Sequence, residues 1–106
     1  MRLSAKEIKI LLSVFNIYDD KASLYLFGSR ADNKQLGGDI DLLVHSKVID
    51  KMQLRKIKWQ LMEQLGEQKI DLLLSKELLE PFVRLILPDS IKLHREKWCV
   101  NKKAQH

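Results

Sequence analysis

The chain has 106 residues, a net charge of +5, 45% hydrophobic residues and 31% charged residues. This length suits one domain with one hydrophobic core, and the composition excludes a disordered chain. No apolar run approaches the ~18 uncharged residues of a membrane span, and the charged N-terminus is unlike a signal peptide. A single cysteine, Cys99, excludes an intramolecular disulfide, so we expect a cytoplasmic protein.

The first part of the chain predicts a helix followed by a strand. Ser4 and Glu7 have the spacing of a capping box, and apolar residues then recur at helical spacing. The charged residues 19–21 end this helix. The apolar run 24–27 predicts a strand that is covered on both faces and ends at a glycine. Residues 29–33 can form one short helix, after which a loop follows.

The central part predicts a strand, a longer helix and another strand. Residues 40–44 form the second predicted strand, and Asp50 is the expected N-cap of the helix that follows. That helix closes at Gly66, and residues 70–74 form the third predicted strand. The helix carries one apolar stripe, formed by Leu54, Ile57, Leu61 and Leu65.

The last part predicts a helix over residues 78–87, which Pro88 stops, and a short edge strand over 91–93. The order of elements indicates a small α/β (α+β) fold. Its mixed sheet has three to four strands, with the helices packed mainly on one face. We expect residues 1–98 to form this domain and residues 99–106 to be a flexible basic tail.

The dipeptide Gly28-Ser29 lies where the first strand turns toward the short helix. Backbone N–H groups and the positive end of a helix dipole converge at such a turn and favour a phosphate. Glycine permits close approach of the anion, and the serine hydroxyl adds a donor. An ordinary strand-ending turn has the same sequence, so this feature alone does not decide.

Asp39, Asp41 and Asp71 are carboxylates in or beside apolar strands. Residues two apart on a strand point to the same face, so Asp39 and Asp41 converge unless Asp39 only caps a turn. Repulsion between such charges is removed by a divalent cation, which prefers carboxylate oxygens. If the third strand pairs beside the second, Asp71 joins them, and the three residues predict a two-metal site.

The combined pattern resembles the nucleotidyltransferase superfamily that includes DNA polymerase beta. It consists of Gly28-Ser29-Arg30-Ala31, the segment Gly-Asp-Ile-Asp-Leu-Leu-Val over 38–44, and Asp71. The compact form is similar to the minimal nucleotidyltransferases of bacteria and archaea, over roughly residues 5–95. One departure is Gly38, because many relatives have serine just before the first aspartate. The carboxylates themselves are intact.

The resemblance implies a role for each residue of the first motif. Gly28 and Ser29 would bind the β- and γ-phosphates of ATP or another nucleoside triphosphate through backbone N–H groups and the hydroxyl. Arg30 would either contact a phosphate or form a salt bridge that braces the loop.

For the carboxylates, the resemblance implies that Asp39 and Asp41 hold two Mg²⁺ ions that position the triphosphate. Asp71 would complete the metal site on the acceptor side and help to deprotonate the attacking hydroxyl. All three would therefore be both catalytic residues and metal ligands.

The sequence predicts no dedicated domain for the acceptor. We therefore expect a second protein, a dimer mate or the acceptor molecule itself to present it. Minimal nucleotidyltransferases of this kind are paired with a HEPN-domain protein, a toxin ribonuclease. The resemblance thus implies transfer of AMP from ATP to a hydroxyl, that of a tyrosine, on this partner, with the chain acting as the antitoxin.

Three other functions stay open at this point. A nucleotidyltransferase fold can neutralise a partner by binding without turnover, although three clustered carboxylates then have no purpose. A small-molecule acceptor needs a pocket that we do not expect so short a chain to build. Binding to nucleic acid suits the net charge but leaves the aspartates unexplained.

Two further residues carry expectations. Trp59 falls opposite the apolar stripe of its helix, with Met52, Arg55 and Lys56 nearby, and is either a partner-binding residue or covered by another segment. His45 lies at the end of the second strand, near the expected site, where we interpret it as a strand end rather than a metal ligand.

Overall fold

The structure, a computed structural model, describes residues 3–28, 40–66 and 69–94. A short 3₁₀ turn, Leu87–Asp89, precedes the last strand. The other elements in chain order are α1 Ala5–Tyr18, β1 Ser23–Phe27, β2 Ile40–His45, α2 Lys51–Leu65, β3 Ile70–Ser75, α3 Pro81–Ile86 and β4 Ile91–Lys92.

The four strands form one mixed sheet in the order β3-β2-β1-β4. β1 pairs antiparallel with both β2 and β4, whereas β2 and β3 are parallel. The parallel pair needs a crossover, and α2 supplies it. The predicted fold class, a small mixed sheet with helices, is therefore confirmed.

Side-chain caps begin both long helices. The Ser4 hydroxyl accepts a hydrogen bond from the Glu7 N–H, and the Glu7 carboxylate accepts one from the Ser4 N–H, which completes the predicted capping box. Asp50 and Gln53 form the same reciprocal pair at α2. Gly66 ends α2 with a positive φ of 88°, a conformation that suits glycine.

The main core lies between one face of the sheet and the helices α1 and α2. Alternate residues of the strands point into it, as the period of a strand requires. The predicted stripe of α2 faces the same core, with Ile57 and Leu61 fully buried and Leu54 and Leu65 packed beside them. The buried residues of this core include Leu11, Val14, Phe15, Leu24, Leu26, Ile40, Leu42, Val44, Ile57, Leu61 and Ile70.

Two buried apolar residues of the described ranges lie outside this main core. Leu43 of β2 points to the opposite face of the sheet and is fully buried, and Val83 of α3 is fully buried outside the main core. The two long helices thus share one face, which is the arrangement that the order of elements predicts.

The last helix is shorter than predicted. It runs over Pro81–Ile86 rather than 78–87, because Leu78 has a positive φ of 61° that no α-helix accepts. Proline at the first helical position then fixes the start. Pro88 lies inside the 3₁₀ turn instead of stopping the helix from outside. The short helix predicted over 29–33 and the tail over 99–106 lie outside the described residues.

Within the ranges that the structure describes, no helix combines the length and apolar character needed to cross a membrane.

Candidate active site

One end of the sheet collects the residues that the sequence singles out. Because β1 runs antiparallel to β2 and β2 runs parallel to β3, the end of β1 meets the starts of β2 and β3. Phe27 is the register partner of Asp41, and Asp41 is the register partner of Asp71. We call this the carboxylate end of the sheet, defined by Gly28, Asp41 and Asp71.

Asp41 and Asp71 lie side by side on the same face of the sheet. They are the second residues of two parallel strands that are about 4.8 Å apart. Both side chains are half-buried. Two carboxylates at this spacing repel each other, and burial weakens the screening by water. The predicted pairing of the third strand beside the second is confirmed, and it creates a site with concentrated negative charge.

Gly28 follows β1 and lies directly against the Asp41 carboxylate. Its φ is +80°, a left-handed conformation that residues with a Cβ rarely adopt. A Cβ at this position would overlap Oδ2 of Asp41 and would lie 3.3 Å from its Cγ. Glycine is therefore required here for two reasons, and the turn after β1 starts beside a carboxylate of β2.

Three of the predicted site residues, Ser29, Arg30 and Asp39, lie outside the described residues. Their roles therefore stay predictions. The described part of the chain resumes at Ile40, whose N–H donates to the carbonyl oxygen of Lys69 over 2.8 Å. Ladder pairing thus begins one residue after Asp39.

The described residues supply two carboxylates at this end. Across those residues, no group of three or more histidine, cysteine, aspartate or glutamate side chains could hold a metal ion. Asp41 and Asp71 are the described members of the predicted three-carboxylate set, and Asp39 precedes β2 by one residue.

His45 is not near this site, in contrast to the sequence-based expectation. It ends β2, four residues after Asp41, which places it about 13 Å along the strand. Its Nε2 lies 3.2 Å from the carbonyl oxygen of Lys76, to which it donates when protonated at that nitrogen. The interpretation of His45 as a strand end is correct.

Sequence reasoning missed a groove beside the carboxylate end. The groove has a volume of about 240 Å³ and runs between α2 and the edge strand β3. The sequence does contain an indication of this groove: three cations occupy positions i, i+4 and i+7 of one helix and therefore share a face. Its lining consists of Lys51, Leu54, Arg55, Lys58, Asp71 and Leu72.

The other end of the sheet, which we call the serine end, is defined by Ser46 and Ser75. Ser46 is buried, and its hydroxyl donates to the Asp19 carboxylate over 2.6 Å. The same oxygen accepts hydrogen bonds from the N–H groups of Val48 and Ile49. This cluster ties α1 and the turn before α2 to the sheet.

Ser75 forms a similar cluster on the neighbouring strand. Its buried hydroxyl donates to the Glu80 carboxylate over 2.7 Å and accepts from the Leu78 N–H. The hydrogen bond from Ser75 stabilises the ionised carboxylate and so lowers the pKa of Glu80 below its ordinary value of 4.5. Carboxylates at the serine end thus have hydroxyl donors.

The mixed sheet and its helices are the fold of a nucleotidyltransferase domain, and the comparison with known families identifies it as one. The sequence matches the family model described as Polymerase beta, Nucleotidyltransferase over residues 9–97. The chain therefore belongs to this family, as its motifs predicted, and a general role in nucleotidyl transfer follows. A search of curated proteins gave no significant match.

Proposed function

We propose that the protein is a Mg²⁺-dependent nucleotidyltransferase that transfers AMP from ATP to a tyrosine hydroxyl of a HEPN-type partner protein. In this proposal the chain is the antitoxin, and the modification neutralises a toxin. The observation that carries the enzymatic part is the register pairing of Asp41 with Asp71, beside a glycine that ends β1.

The residues at the carboxylate end fit a divalent cation. Asp41 and Asp71 offer hard oxygen donors from the same face of two adjacent strands, and a cation relieves the repulsion between them. Asp39 would join them on the metal. Bound Mg²⁺ would neutralise charge on the triphosphate and on the departing pyrophosphate.

Gly28 supports the placement of the triphosphate next to these carboxylates. Without a Cβ, the backbone after β1 comes within contact distance of Asp41, and a bound phosphate can approach equally closely. Ser29 and Arg30 would add a hydroxyl donor and a positive charge from the following turn. The triphosphate and the carboxylates would then share one end of the sheet.

The proposed reaction is an in-line displacement at the α-phosphorus of ATP. The acceptor oxygen forms a bond to this phosphorus, the bond from the phosphorus to the β-phosphate oxygen breaks, and pyrophosphate leaves. The hydroxyl proton passes to the carboxylate of Asp71, which is on the side of β3 and so closest to the edge of the sheet.

The exposed side of α2 is the surface that we propose for the partner. Met52 is 67% exposed, Trp59 66% and Met62 42%, and their spacing places them on one stripe of the helix. Arg55, which lines the groove beside Asp71, lies between Met52 and Trp59 in this helix. A partner on this stripe would therefore reach the acceptor side of the site.

Transfer of label from ATP tests the enzymatic proposal. The purified chain is incubated with α-³²P-labelled ATP, Mg²⁺ and the product of the adjacent gene, and label on the partner is measured. We expect labelling by the wild-type chain and its loss in Asp39→Asn and Asp71→Asn. Retained transfer in Asp39→Asn would refute the metal assignment. Absence of transfer with every divalent metal would instead favour a binding module that neutralises its partner without turnover.

Substitution of Trp59 tests the partner surface. Trp59→Ala should weaken partner binding by about tenfold or more, because exposed tryptophan is a frequent hot spot of interfaces. Leu85→Ala is the matched control, since Leu85 is 78% exposed but lies on α3. Equal affinity of the two variants, measured by calorimetry, would exclude Trp59 from the interface.

A further inference from the structure

We infer that the groove between α2 and β3 binds an extended acidic segment of the acceptor protein and so guides its hydroxyl to Asp71. This inference rests on the proposed function and adds to it the chemistry of the acceptor. It is carried by the lining of the groove, which combines cations, apolar residues and Asp71.

The charge of the groove indicates an anionic occupant. Lys51, Arg55 and Lys58 line it together with one acidic residue, Asp71. Lys51 is the first residue of α2, and the first turn of this helix contains no acidic residue. A cation in this position is unfavourable for the helix itself, because the N-terminus of a helix carries partial positive charge. The Asp50 carboxylate already caps this N-terminus, so an acidic ligand would pair with the side-chain cations of the groove.

The edge of the sheet offers a second set of contacts. β3 is the outermost strand of the described sheet, with β2 on its inner side. Asp71 and Leu72 point to opposite faces of this strand, so the groove runs along its edge. Backbone groups on such an edge can pair with an extended peptide, which adds as a further strand.

The apolar part of the lining favours a protein over a nucleic acid. Leu54 and Leu72 lie beside the cations, and of the described residues none that lines the groove is aromatic. Proteins that bind single-stranded nucleic acids use aromatic side chains as stacking platforms for the bases. Aliphatic side chains instead suit the stems of peptide residues.

The spacing of the cations sets the length of the segment. Lys51 and Lys58 are seven residues apart on a helix, a distance of about 10 Å. An extended peptide covers the same distance in about three residues. Two acidic residues that flank the acceptor hydroxyl by one or two positions would therefore contact the groove at once.

Fluorescence anisotropy with model ligands tests this inference. The probes are a fluorescein-labelled peptide Glu-Glu-Tyr-Glu-Glu, the same peptide with lysine in place of glutamate, and a labelled oligothymidylate. The double variant Arg55→Glu/Lys58→Glu reverses the charge of the groove. Lys56→Glu is the matched control, because Lys56 is exposed on the same helix but does not line the groove.

We expect the acidic peptide to bind the wild-type chain and to lose about tenfold or more in affinity to the double variant, since juxtaposed like charges oppose binding. Lys56→Glu should change the affinity by about twofold or less. The lysine peptide should bind more weakly than the acidic one. Circular dichroism verifies that all variants are folded.

Three results would overturn the inference. The first is that the acidic peptide does not bind the wild-type chain, and the second is that Lys56→Glu weakens binding as much as the double variant does. The third is that the oligothymidylate binds more tightly than the peptide and depends on Arg55 and Lys58. The last result would make the groove a nucleic-acid site.

Mg²⁺-ATP binding, measured separately by calorimetry on the same preparations, isolates the proposed function. If the wild-type chain binds the peptide but not Mg²⁺-ATP, the proposed function is refuted and peptide binding by the groove is supported. If the chain binds Mg²⁺-ATP but not the peptide, the proposed function is supported and the inference about the groove is refuted.

Discussion

Both ends of the sheet carry carboxylates, but the side chains beside those carboxylates differ. At the serine end, Ser46 and Ser75 each donate a hydroxyl hydrogen bond to a carboxylate, that of Asp19 or Glu80. At the carboxylate end, Asp41 is the register partner of Asp71, another carboxylate. A hydroxyl beside a carboxylate stabilises the fold, whereas two carboxylates side by side repel each other.

We propose that this difference separates carboxylates that hold the fold together from carboxylates that bind a ligand. An aspartate that a hydroxyl satisfies joins elements of the fold, as Asp19 joins α1 to the turn before α2. In the proposed function, the adjacent pair Asp41 and Asp71 binds a divalent cation instead. The following predictions test this assignment, from the largest expected effect to the smallest.

Asp41→Asn should lower the rate of nucleotidyl transfer by about 10³-fold, a loss typical of removing charge stabilisation from an active site. Asp19→Asn, at the serine end, should leave the rate of transfer almost unchanged and lower the free energy of unfolding by about 1–3 kcal/mol. Transfer assays and urea denaturation measure the two quantities. Equal rates for the two variants would remove the distinction between the ends.

Gly28→Ala should lower both stability and transfer. The left-handed backbone costs a residue with a Cβ about 1–2 kcal/mol, and the new methyl group displaces the Asp41 carboxylate. Gly66→Ala is the matched control, because Gly66 has a similar φ of +88° and no atom within 4 Å of an added Cβ. It should lose similar stability and keep its activity. Full activity of Gly28→Ala would show that Asp41 need not stay in place.

Ser46→Ala should lower the free energy of unfolding by about 1–2 kcal/mol, because it leaves two backbone N–H groups without their acceptor and Asp19 without its donor. The rate of transfer should not change, since Ser46 lies at the serine end. Ser90→Ala is a milder control that removes one hydroxyl hydrogen bond to a carbonyl. If Ser46→Ala is fully folded but loses transfer activity, the serine end also contributes to the reaction, and the assignment of separate roles to the two ends is wrong.

Glu80→Gln should flatten the acid limb of the stability profile slightly. Because the pKa of Glu80 is lowered in the folded protein, its contribution is complete above the ordinary pKa of 4.5 and disappears as pH falls through the lower folded value. Thermal unfolding between pH 3 and pH 6 measures the effect, and in the background Ser75→Ala the substitution should have less effect. A steeper acid limb in Glu80→Gln would contradict the sign.

Much of the fold could be predicted because its signals are local. The capping boxes at Ser4 and Asp50, the glycine that ends α2 and the apolar strands are all patterns within a few residues. The predicted start of α3 at residue 78 was wrong, because the positive φ of Leu78 is not a conformation that leucine prefers locally. That conformation accompanies the hydrogen bond from the Leu78 N–H to Ser75.

The site could be predicted in part. Two aspartates in apolar strands were conspicuous, and the family motif joined them to Gly28-Ser29. The sequence placed His45 near the carboxylates, but it lies at the other end of β2. The position of the site along β2 depends on how β1 and β3 run beside it, which the sequence does not show directly. The groove was missed because its lining comes from α2 and β3, which contact each other only after the crossover folds.

The sequence by itself determined most of the described elements and the family, because both depend on residue types at short spacing. Only the tertiary structure decided that Asp41 and Asp71 are register partners and that Gly28 touches Asp41. It also decided that three cations of α2 line one groove together with Asp71. The reason is physical: strand order and register follow from how the whole core packs, and no local preference specifies them.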